Sequence, residues 1–98
     1  MTTLEQFKKF LSLHATTVVY FSSKSCKPCG NLGQIFRQFL MRYTNLIEID
    51  VSESFDIAIS YKISNVPMVA VFAEYKIVDS YIGTDKTKFS TFIDKYAN

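Results

Sequence analysis

Thr17-Val18-Val19-Tyr20-Phe21-Ser22-Ser23-Lys24-Ser25-Cys26-Lys27-Pro28-Cys29 is an apolar, β-branched and aromatic run that leads into a pair of cysteines three residues apart. Behind it, Leu32, Ile35, Phe36, Phe39 and Leu40 recur at helical spacing. A buried strand therefore gives way to an amphipathic helix, and the two thiols stand at the junction. A helix start offers free N–H groups and a positive dipole end, which stabilise a thiolate. The thiolate is the nucleophile in thiol chemistry, so this position favours dithiol–disulfide exchange. A stabilising bridge is the weaker alternative, because closing so short a loop removes little chain entropy. Two inert buried thiols are a further one, since cysteine packs as a small hydrophobe.

Working outward from the junction, Thr3 and Gln6 form a capping box, with Thr2 and Glu5 as an overlapping alternative. They open a helix whose apolar face is Leu4, Phe7, Phe10 and Leu11. The helix after the cysteines extends from Cys29 to about Tyr43, and Leu46–Val51 reads as a second strand. Ser54–Tyr61 is a short helix predicted to turn Phe55, Ala58 and Ile59 inward. Pro67 introduces a third strand, Met68–Phe72. A turn around Glu74-Tyr75-Lys76 leads to a fourth, Ile77–Ile82, which Gly83 ends. Asp85 caps a last helix with Phe89, Phe92, Ile93 and Tyr96 on its core face.

The order αβαβαββα makes the first two strands parallel, through a right-handed crossover, and the last two an antiparallel hairpin. The fold class is α/β: a four-stranded mixed sheet flanked by helices, with the Thr17–Phe21 strand in its interior. The 98 residues fit one domain, 1–98, and 48% of them are hydrophobic, with nine Phe and six Tyr to fill a core.

The net charge of +2, from eleven basic and nine acidic residues, is too balanced for a nucleic-acid binder, and the lysines form no stripe. No stretch approaches the roughly 20 apolar residues of a membrane span, and Lys8-Lys9 interrupt any signal-peptide core. A soluble, cytoplasmic protein is the expectation, and a lone close cysteine pair there points to catalysis or metal binding before a staple. One cysteine pair and the single His14 do not fill a four-ligand zinc site. His14 itself falls at the end of the first helix, away from the cysteines.

Three marks together carry a resemblance: Cys26-Lys27-Pro28-Cys29 after a hydrophobic strand, Asn65-Val66-Pro67 before the third strand, and Ile82-Gly83 before the last helix. On these the chain resembles the thioredoxin family over nearly its whole length, lacking the first β-strand of ordinary thioredoxin. The resemblance implies a monomeric protein-disulfide reductase acting on disulfide-containing proteins and recharged by a thioredoxin reductase. No bound cofactor is implied, because a redox-active Cys26–Cys29 disulfide carries the electrons. Cys26 would be the exposed nucleophile and Cys29 the deeper resolving thiol. Lys27, Pro28 and Lys24 would tune the thiolate. Ser25, Asn65, Val66, a cis Pro67, Ile82, Gly83 and Thr84 would line the substrate groove, where peptide adds like a strand. A glutaredoxin-like use of glutathione and a non-catalytic peptide-binding module are the alternatives. The chain departs from the family at several points. Lys27 replaces the usual glycine, Ser22 and Ser25 replace tryptophans, and Leu46 replaces the lysine of the second strand. Tyr20 replaces a buried acid, removing the expected proton acceptor for Cys29.

Overall fold

Alternation along β1 (Thr17–Ser22) decides how the molecule is layered. Every residue of this strand is buried, so the sheet is covered on both faces. Val18 and Tyr20 point to one side, where Cys29, Leu32, Phe36, Leu46, Val69, Val71, Phe89 and Ile93 complete a core cluster. Val19 and Phe21 point to the other, into a cluster with Phe7, Leu11, Ile49, Ile57, Met68, Ala70 and Phe72. The computed structural model describes all residues, 1–98. Its elements are α1 (Leu4–Ser12), β1, α2 (Lys27–Leu40), β2 (Leu46–Asp50), α3 (Phe55–Ser60), β3 (Met68–Ala73), β4 (Lys76–Ile82) and α4 (Lys86–Tyr96). Helices α2 and α4 lie over the Tyr20 side, α1 and α3 over the Phe21 side.

The sheet order is β2-β1-β3-β4, which puts β1 in the interior as the sequence predicts. β1 runs parallel to β2, with Tyr20 opposite Glu48, and antiparallel to β3, with Phe21 opposite Met68. β3 and β4 form the hairpin. Its two-residue turn places Glu74 (φ 52°) and Tyr75 (φ 65°) in the left-handed region, the geometry that matches the twist of paired strands.

The Thr3–Gln6 capping box is formed, and the Thr2–Glu5 alternative is not. Helix α2 starts two residues earlier than its hydrophobic spacing predicts and stops at Leu40, three short of Tyr43. The predicted inward face of α3 is a correction. Ala58 is buried as expected, but Phe55 and Ile59 are 65% and 63% exposed, and Ile57 takes the inner face instead. The buried Ser54 hydroxyl donates to the carbonyl of Thr2 at 2.7 Å, which fixes the rotation of this six-residue helix.

At the end of the sheet where β1 begins, Asn45 is buried and joins three segments. Its amide nitrogen donates to the carbonyls of Thr16 (3.1 Å) and Tyr96 (3.0 Å), and its side-chain oxygen accepts from the Asn98 N–H (2.8 Å).

Candidate active site

At the opposite end of β1 the chain leaves the sheet through Ser23-Lys24-Ser25 and enters α2 at Cys26. Cys26 is the N-cap, in extended backbone, and no side chain caps the helix. The Cys26 N–H donates to the Ser23 carbonyl at 3.1 Å and the Cys29 N–H to the Cys26 carbonyl at 3.2 Å, so the four residues are wound into a turn. Pro28 lies in the first turn, where a missing N–H removes no helix hydrogen bond. Cys26 and Cys29 are joined by a disulfide, S–S 2.10 Å, with Cα atoms 5.3 Å apart. Cys26 is half-buried, whereas Cys29 is 5% exposed and belongs to the core cluster under α2.

Register brings the other predicted residues to the same end of the sheet. Met68 pairs with both Phe21 and Ile82, so Pro67 lies between the exit of β1 and Gly83. The Val66–Pro67 peptide is cis. Pro67 is buried and Val66 is half-buried against both core clusters, while Asn65 and Thr84 are exposed. Ile82 is 53% exposed, a large apolar side chain left in water. A Cβ on Gly83 would meet the Tyr81 hydroxyl at 2.5 Å. That hydroxyl is held in place by the Asp85 N–H at 3.1 Å, so the backbone here requires glycine.

Lys27 is exposed at the mouth of the site. Lys24 forms an ion pair with Glu53 at 2.5 Å, which raises its pKa through the hydrogen bond and charge of that carboxylate. Its positive charge is therefore largely matched by Glu53 instead of being free for a thiolate. Ser25 is exposed and its N–H is 3.4 Å from the Ser23 hydroxyl. His14 follows α1 and packs against Phe10, ring centroids 5.3 Å apart, on the face away from the cysteines.

Two features escape a residue-by-residue sequence analysis. The Tyr20 hydroxyl donates to the Cys29 carbonyl at 2.8 Å, a buried bond tying the strand to the first turn of α2. Burial, and then the negative charge of Glu48, hold the Tyr20 phenol well above the ordinary tyrosine range. Second, a cleft of about 230 Å³ beside the disulfide is lined by Cys26, Cys29, Arg37, Glu48 and Asp50, with Ser22, Ser23, Lys24 and Gly30. The parallel pairing of Tyr20 with Glu48 was the available signal for it. A larger hollow of about 720 Å³ lies between β4 and α4, lined by Asp79, Tyr81, Phe92 and Lys95 among others, but it contains no thiol. No group of three or more His, Cys, Asp and Glu side chains is disposed to hold a metal. No helix is long and apolar enough to cross a membrane.

The sequence matches the profile of the thioredoxin family over residues 1–95. The chain belongs to the thioredoxin family. It is 24% identical over 99 residues to thioredoxin 1 of Plasmodium falciparum, covering 99% of this chain and 95% of that protein. It is 29% identical over 85 residues to a thioredoxin of Mycoplasmoides gallisepticum, covering 85% of each. The fold is that of a solved Plasmodium falciparum thioredoxin, with a TM-score of 0.87 at 23% identity over 99% of this chain and 97% of that one. This thioredoxin carries the Cys-x-x-Cys pair intact and at bonding distance, so it is a thiol–disulfide oxidoreductase of the protein-disulfide reductase type.

Proposed function

We propose that Cys26 is the attacking nucleophile of this thioredoxin and Cys29 its resolving thiol. The observation that carries the assignment is their difference in depth: Cys26 caps α2 half-exposed, and Cys29 is buried beneath it. The reduced Cys26 sulfur attacks one sulfur of a substrate disulfide. A Cys26–substrate disulfide forms, and the first substrate thiolate leaves with the electron pair of the broken bond. Cys29 then gives up its proton and attacks the Cys26 sulfur. The Cys26–Cys29 disulfide forms and the second substrate thiolate departs, so two electrons have passed to the substrate. The free N–H groups and dipole of the 14-residue α2 stabilise the Cys26 thiolate, and Lys27 adds positive charge at the same end.

The backbone of Asn65, Val66 and Pro67 forms one wall of the substrate groove, and Ile82, Gly83 and Thr84 the other, with Ser25 at its edge. Adjacent strand ends and the exposed Ile82 support this. The two sulfurs carry the electrons, so the chemistry needs no bound cofactor. The partners are disulfide-containing proteins, with a thioredoxin reductase as donor, and the chain works as a cytoplasmic monomer in electron transfer. Comparing recharge by a thioredoxin reductase with recharge by glutathione tests the donor.

In an insulin-reduction assay Cys26→Ser abolishes activity, whereas Cys29→Ser accumulates mixed disulfides with its targets. Alkylation of the reduced protein modifies Cys26 first. Preferential labelling of Cys29, or normal turnover by Cys29→Ser, overturns the assignment.

A further inference from the structure

We infer that Glu48, held by Arg37, is the proton acceptor for Cys29 in the resolving step and, once reprotonated, the proton donor to Cys29 when the disulfide is reduced. The inference rests on the assignment of Cys29 as the resolving thiol.

Cys29 cannot attack as a thiol, and its burial keeps bulk water from taking the proton freely. Tyr20, the strand residue beneath it, is unsuited to the task. Its hydroxyl proton is already donated to the Cys29 carbonyl, and desolvation keeps the phenol neutral. The neighbouring strand supplies a carboxylate instead. Glu48 is the register partner of Tyr20 on β2 and lines the same cleft as Cys29 and Cys26. The cleft, about 230 Å³, has room for water to relay a proton between thiol and carboxylate.

The groups facing Glu48 are Tyr20 from β1, Cys29 and Arg37 from α2, Asp50 from its own strand, and Cys26 and Lys24 from the loop. Lys24 is matched by Glu53. The Asp50 side chain accepts from the N–H and hydroxyl of Ser52, so it is engaged in the turn after β2. Glu48 has a single side-chain partner, Arg37 Nη2 at 3.4 Å, which leaves it free to accept a proton. Arg37 is a positioning residue: exposed on α2, it orients the carboxylate from outside. Gly33, one turn earlier, makes room for it, since a Cβ there would stand 3.1 Å from Arg37 Nη2.

The proton balance closes in both directions. In the resolving step the Cys29 S–H bond breaks and Glu48 is protonated. The Cys29 sulfur displaces substrate from Cys26, and the departing thiolate takes a proton from Glu48 or from water. In the reverse direction, a donor thiol loses its proton to Glu48 through the cleft, its thiolate attacks Cys26, the Cys26–Cys29 bond breaks, and Cys29 leaves as a thiolate that takes that proton back from Glu48.

The test is the reaction of reduced wild type, Glu48→Gln, Glu48→Asp and Asp50→Asn with equimolar dithiobis(nitrobenzoate), followed by stopped-flow absorbance. Attack by Cys26 releases one coloured thiolate and resolution by Cys29 releases the second, so one trace reports both steps. Relative to the first phase, Glu48→Gln slows the second about a hundredfold or more at neutral pH, the low end of general acid–base contributions. The deficit closes as pH rises and hydroxide takes over, and Glu48→Asp recovers part of the rate. In a Cys26→Ser background, Glu48→Gln also lowers the pKa of Cys29, because a carboxylate opposes a thiolate. A slower step beside a more acidic thiol separates proton transfer from a merely structural role. An unchanged second phase, a loss equal at every pH, or a larger loss in Asp50→Asn overturns the proposal. If wild type shows no second phase, the two-thiol assignment fails first and the role of Glu48 falls with it.

Discussion

The two faces of the sheet are built from alternate residues of one strand, yet they differ in kind. On the Phe21 face, Phe7, Tyr61 and Phe72 meet edge to face, with centroids 5.0–5.7 Å apart; the half-buried Tyr61 is a titratable group at the margin, and none lies among the buried side chains of the cluster. On the Tyr20 face, the buried ring packs against Phe36 and Phe89 at 5.4 and 5.2 Å, but its hydroxyl is used, and the packing opens into a cleft with Glu48, Arg37 and both cysteines. One face contributes stability through area and shape, and the other gives up some of that to bring ionisable groups to a thiol. The difference assigns stability and chemistry to separate halves of the same core.

The largest expected effect tests that separation. Phe72→Ala, on the apolar face, is expected to cost about 3–5 kcal/mol in denaturant unfolding and to leave disulfide reduction per folded molecule unchanged. A large loss of specific activity would mean that the faces are coupled. Tyr20→Phe probes the other side with less force. It removes one buried hydrogen bond, worth about 1 kcal/mol. It also changes the pH dependence of stability. The folded state holds the Tyr20 proton more tightly than the unfolded chain does, so that contribution is present below about pH 10 and is lost as pH rises above it. Tyr20→Phe should therefore flatten the alkaline decline, leaving the part due to Tyr61, whose phenol burial also raises. The smallest effect is at the rim. Lys27→Gly removes an exposed charge beside Cys26, destabilises its thiolate and should make the couple more reducing by roughly 10–20 mV, measured in a glutathione redox buffer. An unchanged potential would mark Lys27 as a bystander.

Much of this architecture is legible in the residues. The Thr17–Phe21 run, the switch to helical spacing after Cys29 and the short link between the last two strands fix the element order and the interior place of β1. The face of α3 was not legible, because in six residues the apolar positions Phe55, Ile57, Ala58 and Ile59 satisfy more than one rotation. A hydrogen bond from Ser54 to a residue 52 positions away chooses among them. The same limit applied to the site. The cysteines announce themselves by local sequence and Pro67 by the family resemblance, but Glu48 and Arg37 enter only through strand register and through the space above Gly33. The turn at Glu74-Tyr75 was legible, but its left-handed backbone was not, since neither residue is of a type that favours it.

Asn45 lies at the far pole from this chemistry, and its three hydrogen bonds give the molecule a clasp. The start of β1, the end of α4 and the last residue are fastened by one amide, and the Val18 N–H is bound to the Asn45 carbonyl at 2.8 Å. These segments must therefore let go together, as one unit of local opening. The strand that presents the cysteines is thereby anchored from behind.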